Sequence, residues 1–193
     1  MNAAKRWISR HAPLVTKAIV LGDDLFSREP FCRQLKDSSF HFIFVCKPDS
    51  HKTLSDWIGL FGDEVPTFSL RKWNGHFHEK SSYRHMNQVP IKDGDDPLAV
   101  NWLEIEITRT DTRQVLYRNS LVTDYPLDRD NVPLIATASR ARWKVENENT
   151  NVLKNKGYHH TLTMTAESFW SPAFSFTIGP LHDNEISIYK SWN

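Results

Sequence analysis

The chain has 193 residues, 39% hydrophobic and 24% charged, with 24 Lys and Arg against 23 Asp and Glu. That is enough for one ordinary domain with a real core, or a domain with an insertion. A formal charge of +1 excludes a globally basic or acidic polyelectrolyte, so any nucleic-acid surface has to be local. The two cysteines, Cys32 and Cys46, cannot build a disulfide framework, and Cys46 lies in an apolar run where a reduced core thiol is expected. No stretch is long and apolar enough to span a bilayer. The basic start, MNAAKRWISRHAP, lacks the apolar run of a signal peptide. The expected place is the cytoplasm, or a bacterial nucleoid, without a membrane partner.

In chain order, residues 4–11 have helical character, ended by Pro13. LVTKAIVLGDD follows, and its apolar run through Val15, Ile19, Val20 and Leu21 stops at Gly22-Asp23. This is the pattern of a strand buried on both faces with acid at its carboxyl end. Ser27 is placed to cap a helix through about Leu35, with Pro30 in the first turn. HFIFVCK (41–47) is a second buried strand. Pro48-Asp49-Ser50 forms a turn, and Leu54, Trp57, Ile58 and Phe61 give residues 52–61 helical spacing.

The pattern then changes. From Phe68 to Asp124 alternation and β-branched residues replace helical spacing, and Asn74-Gly75 marks a hairpin turn. LEIEITRT alternates apolar and polar residues as a half-exposed strand does. Asp130 or Asn131 then caps a helix that tolerates Pro133 near its start and runs to about Lys154, with Gly157 as its stop.

RARWKVENENTNVLK (140–154) poses the sharpest question. At 100° per residue, Arg142, Glu146, Asn149 and Leu153 share one arc, bracketed by Trp143 on one side and by Val145 and Val152 on the other. There is no clean apolar stripe. If this region packs on a sheet, Glu146 lies at or near the interior, where a carboxylate requires a cation or metal. Arg142 is in position to serve, although Arg before Glu is the weaker helix order. Taken alone, the spacing also fits an ordinary solvated pair.

Three blocks taken together, GDDLFSREPFC (22–32), HFIFVCKPDSHKTL (41–54) and RARWKVENENTNVLKNKGYHH (140–160), resemble bacterial insertion-sequence transposases of the DDE type. The nearest group carries a Tyr–Arg–Glu–Lys signature and includes insertion-sequence family four. The resemblance covers most of residues 1–160. It implies an α/β fold with a partial ribonuclease H-like core and a β-rich insertion. It also implies magnesium-dependent cleavage and transfer of DNA strands, with three carboxylates holding two metal ions. Asp23 matches the second aspartate and Glu146 the glutamate; both are then catalytic metal ligands. Asp24 is adjacent, but successive strand residues point to opposite faces, so one of the two acids serves. Arg142 matches the signature Arg. Lys154 falls where the signature Lys is expected, one residue further from Glu146 than usual; both would hold DNA phosphate. Ser139 stands where the signature Tyr belongs.

The implied organisation is residues 1–64 as the truncated N-terminal part of the core, 65–128 as the insertion, 129–158 as the glutamate helix, and 159–193 as a divergent tail, expected to be frameshifted and disordered. The family's first aspartate is expected to lie upstream of residue 1. Two carboxylates hold Mg2+ weakly, so an inactive transposase fragment is expected. Its partners are then DNA, at insertion-sequence ends, and an intact transposase subunit. The alternative is a non-enzymatic DNA-binding or oligomerisation fragment that modulates an intact transposase. RKW (71–73), with His76, His78, Lys80, Tyr83 and Arg84, is a basic, aromatic candidate for DNA contact and equally an ordinary exposed hairpin. His76 and His78 with His85 form a weaker zinc candidate, since no zinc-type spacing accompanies them.

Overall fold

The computed structural model describes residues 2–11, 19–140, 176–178 and 188–190. Helix α1 spans Asn2–His11. Strand β1, Ile19–Gly22, pairs in parallel with β2, His41–Val45, and α2, Glu29–Asp37, is the crossover between them. The apolar runs recognised in the sequence are these two strands; buried on both faces, they have no polar alternation. Helix α3 spans Lys52–Phe61, the span expected from its spacing.

Four antiparallel strands follow: β3 (Thr67–Trp73), β4 (His78–Pro90), β5 (Ala99–Arg109) and β6 (Val115–Thr123). Strand β6 pairs with β2, joining Ile43 to Thr123 and Val45 to Leu121. The β-rich block therefore continues the sheet begun by β1 and β2. Two short strands, β7 (Phe176–Ile178) and β8 (Ile188–Lys190), add to the other edge of β1, in the overall order β3-β4-β5-β6-β2-β1-β7-β8. The chain is thus mixed α/β with one mixed sheet, the class expected from the sequence.

Residue alternation in the strands sorts the core into two layers. On one face Phe42, Phe44, Val100, Trp102 and Val122 meet Ile8 of α1, Phe31 and Leu35 of α2, and Leu54 and Ile58 of α3. Phe31 and Phe42 both stack on Phe44, with centroids at 5.9 and 5.1 Å. Each such ring contributes about 1.5–3 kcal/mol by leaving water. On the other face Ile19, Ile43, Leu103, Ile105 and Leu121 meet Val132, Ile135, Ala136 and Ala138 of the helical residues 132–140.

That last helix is anchored at both described ends. A bulge in β4 between Met86 and Val89 turns out Asn87, which donates to the Leu127 carbonyl and accepts the Leu127 N–H, both at 2.8 Å. Asp128 accepts the N–H groups of Asp130 and Asn131, so the side chain that turns the chain into the helix comes before the two caps expected from sequence. At the far end Arg140 lies 5.0 Å over the Tyr117 ring.

Ser27 is a correction. It does not cap α2; the cap position is Arg28, and no side chain caps it. The Ser27 hydroxyl is fully buried and turned instead to partners outside the helix.

Candidate functional site at the carboxyl ends of the parallel strands

Parallel strands joined by a helix end side by side, and their carboxyl-end loops form the crevice where α/β proteins bind ligands. Here those loops are residues 23–28 after β1 and 46–51 after β2. Gly22 makes the exit possible. A Cβ there would lie 2.8 Å from Phe44 Cδ1 and 3.0 Å from Phe26 Cδ2, so the chain leaves the sheet flat against two rings.

Asp23 accepts the Leu25 N–H at 3.0 Å, and the Phe26 N–H bonds back to the Asp23 carbonyl at 3.1 Å. The result is a tight turn at the strand end. Asp24 points elsewhere: its Oδ1 accepts the Lys47 N–H at 2.7 Å and lies 3.7 Å from His51 Nε2. His51 Nε2 is also 2.7 Å from Ser27 Oγ, which is 2.8 Å from the Asp24 carbonyl. Arg28 Nη1 donates to the Ser50 carbonyl at 3.0 Å. Burial, the largest influence, holds His51 below the usual histidine range. Asp24 and the Ile91 carbonyl push it upward, and Arg28 adds to the lowering. His51 is therefore a neutral imidazole at neutral pH.

The two adjacent acids do different work. Ile19 and Leu21 pack on the side of the helical residues 132–140, whereas Val20 packs on the other. Continued by one step, that alternation carries Asp23 to the side of the 132–140 helix. Asp24 is committed to the loop after β2.

Arg142, Glu146 and Lys154 lie outside the described residues. Ser139, at the signature Tyr position, donates to the Ala136 carbonyl at 2.9 Å. Asp23 offers the hard oxygen that magnesium takes. Among the described residues, however, no three His, Cys, Asp or Glu side chains converge on a metal position. The zinc candidate is not assembled either. His78 opens β4 and His85 lies seven residues along it, roughly 24 Å away and on the opposite face.

The basic hairpin divides by face. Arg71, Lys72, Trp73, His76 and His78 are exposed at its tip, and Trp73 packs on the His78 ring at 4.9 Å, whereas Tyr83 is buried against Phe68. A cavity of about 250 Å³ opens between α3 and the sheet, with Ile58, Gly59 and Trp102 among its walls. Its charges are paired: Glu104 holds Arg84 at 3.2 Å and Arg118 at 2.8 Å. Both cysteines are buried free thiols, pushed far above the usual thiol range by burial, Cys46 to about 12.

Sequence reasoning passed over His51 and Lys47, and it assigned Ser27 to a helix cap instead of to this loop. Once the β1 and β2 runs are taken as a parallel pair, the carboxyl-end rule places their loops together, and that was the available signal. Among the described residues no helix is long and apolar enough to cross a membrane. No family model matches the chain, and no curated protein matches it.

Proposed function

We propose that this chain is a fragment of a DDE-type transposase with a ribonuclease H-like core, itself inactive in strand transfer, that binds DNA. Asp23 and Glu146 are its metal-ligand acids, and Arg142 and Lys154 its phosphate contacts. One observation carries the reading. Asp23 directly follows β1 at its carboxyl end, and strand alternation continued from Ile19 and Leu21 assigns it to the side of the sheet covered by the helical residues 132–140, the segment that precedes Glu146 in sequence. The position of the antiparallel block, between the parallel pair and that helix, also agrees with the resemblance.

Asp23 and Glu146 would hold a magnesium pair, and the chemistry it would supply is activation of the attacking oxygen and stabilisation of the leaving one. Two carboxylates would hold it weakly. The test is a supercoiled-plasmid nicking assay with Mg2+ or Mn2+, using the 193-residue chain. We expect no nicking above background, and a gel shift on linear duplex that weakens steeply with salt. Metal-dependent nicking abolished by Glu146→Gln would overturn the inactivity. A salt-independent shift would argue against phosphate binding.

The exposed Arg71, Lys72, Trp73 and His76 of the hairpin tip favour a second reading, a non-enzymatic DNA-binding fragment. Under it Arg71→Ala with Lys72→Ala abolishes the gel shift while Arg142→Ala leaves it intact.

A further inference from the structure

The Ser27 hydroxyl has one hydrogen and two neighbours within bonding distance, the Asp24 carbonyl at 2.8 Å and His51 Nε2 at 2.7 Å. Both contacts are hydrogen bonds only when Nε2 carries a proton: it donates to the hydroxyl, and the hydroxyl donates to the carbonyl. The Asp24 carboxylate, 3.7 Å from the same nitrogen, favours the same arrangement; the Ile91 carbonyl also draws on the one proton of the neutral ring, and the Ser27 contacts tip the balance to Nε2. A bare Nε2 would turn its lone pair toward an anion. Ser27 is fully buried and the His51 side chain is 3% exposed, so bulk solvent cannot compensate for the wrong tautomer.

We propose that His51, as the Nε2–H tautomer, is a positioning residue that acts through Ser27 to fix the loop bearing Asp23. The proposal rests on Asp23 being a metal ligand of the site described above. The loop is held at three points. The Asp23–Phe26 turn closes on itself, Asp24 is tied to Lys47, and the Ser27 hydroxyl ends the loop on the Asp24 carbonyl. His51 comes from the loop after β2, so it couples the carboxyl ends of both parallel strands. With Asp24 held toward that loop, strand alternation assigns the Asp23 carboxylate to the opposite side. A ligand held in place by such supporting hydrogen bonds does not have to reorganise when its ion arrives.

A histidine merely packed in the core would tolerate either tautomer, and replacing it would act on stability alone. Nitrogen-detected imidazole spectra of the full chain separate the cases, together with amide spectra of Leu25 and Lys47. We expect a proton on His51 Nε2 at neutral pH. Ser27→Ala and His51→Asn shift the Leu25 and Lys47 amide signals. His51→Gln, whose amide nitrogen reaches the Nε2 position, returns them toward the wild-type values. A bare Nε2 in the wild type overturns the proposal, as does a folded Gln variant displaced as far as the Asn variant. If the variants do not fold, the wild-type tautomer decides alone. Mn2+ broadening of the Leu25 amide, taken on the same sample, tests the metal role of Asp23. Its absence removes that role and leaves the tautomer result standing, so the two failures are distinguishable.

Discussion

The Asp24 carboxylate accepts the backbone N–H of Lys47 at 2.7 Å, so the parallel pair β1–β2 is tied again just beyond its last rung, Gly22 with Phe44. A largely buried carboxylate on a backbone amide contributes about 1.5–3 kcal/mol, because its removal also leaves the amide without a partner. Asp23 accepts an amide two residues away, a contact the chain can remake with water. Asp24→Ala is therefore expected to lower the unfolding free energy by about 2 kcal/mol, and Asp23→Ala by less than about 1 kcal/mol. Urea denaturation of the two variants measures the difference. Equal losses would mean that both acids are structural.

Gly22 precedes this pair and has a different constraint. Phe44 is fully buried and held between Phe31 and Phe42, so its ring cannot swing aside for a methyl group at 2.8 Å. Gly22→Ala is expected to lower stability by about 1–3 kcal/mol through overpacking. A midpoint unchanged from wild type would show that β1 can lift off the ring stack.

Stability should fall on mild acidification. Burial, as the largest influence, holds both His51 and His85 below the usual histidine range; Asp24 raises the first and Asp128 the second, each by less. His85 Nδ1 has no hydrogen-bond partner among the described residues. In the unfolded chain both rings titrate near 6.5. Below that pH the unfolded chain binds protons that the folded chain refuses. The stabilisation is therefore complete above about pH 6.5 and declines as pH falls toward the lowered folded values. Thermal midpoints compared at neutral and mildly acidic pH should drop on the acid side, and His85→Leu should remove part of the slope. Midpoints that hold or rise on acidification would contradict the assignment. Glu29 acts lower on the scale. Burial alone would raise it, but Lys92 and Arg33 together hold it below the usual carboxylate range, so its contribution is lost only in stronger acid.

What was legible in the sequence follows from the range of the interactions involved. The apolar runs ending at Gly22 and Val45, the helix Lys52–Phe61 and the alternation of LEIEITRT are local patterns, and each is an element of the fold. Asn74-Gly75 is a turn, with Gly75 at φ 98° and the Asn74 carboxamide accepting the His76 and Phe77 N–H groups. Ser27 misleads because the cap preference is local, while its actual partner lies 24 residues on. The junction of β6 with β2 joins residues about eighty positions apart, and no local pattern signals it. For the site, the acid after β1 was legible and its separation from Asp24 was half legible, since alternation predicts opposite faces without saying which acid takes which. The partnership of Asp24 with Lys47 and His51 was not, because it depends on the parallel register.

Asn101 supports the remaining long-range junction. It lies on β5, 3% exposed, and its Oδ1 accepts the N–H of Gln88, the bulge residue with φ 58°. Its Nδ2 donates to the carbonyls of Asp124 and Tyr125 at 3.2 and 2.7 Å. One carboxamide thus satisfies a strained bulge and the exit from β6, the two features that aim the chain into the 132–140 helix. Asn101→Ala leaves three backbone groups, partly shielded from solvent, without that partner, and a loss of about 2 kcal/mol is expected. The loss should be local as well as global. Hydrogen exchange at Gln88 and Leu127 should rise more than exchange at Leu103 in the middle of β5. Uniform acceleration across the sheet would show that Asn101 adds bulk stability without organising the junction. A selective rise ties the placement of the 132–140 helix to a single side chain on β5.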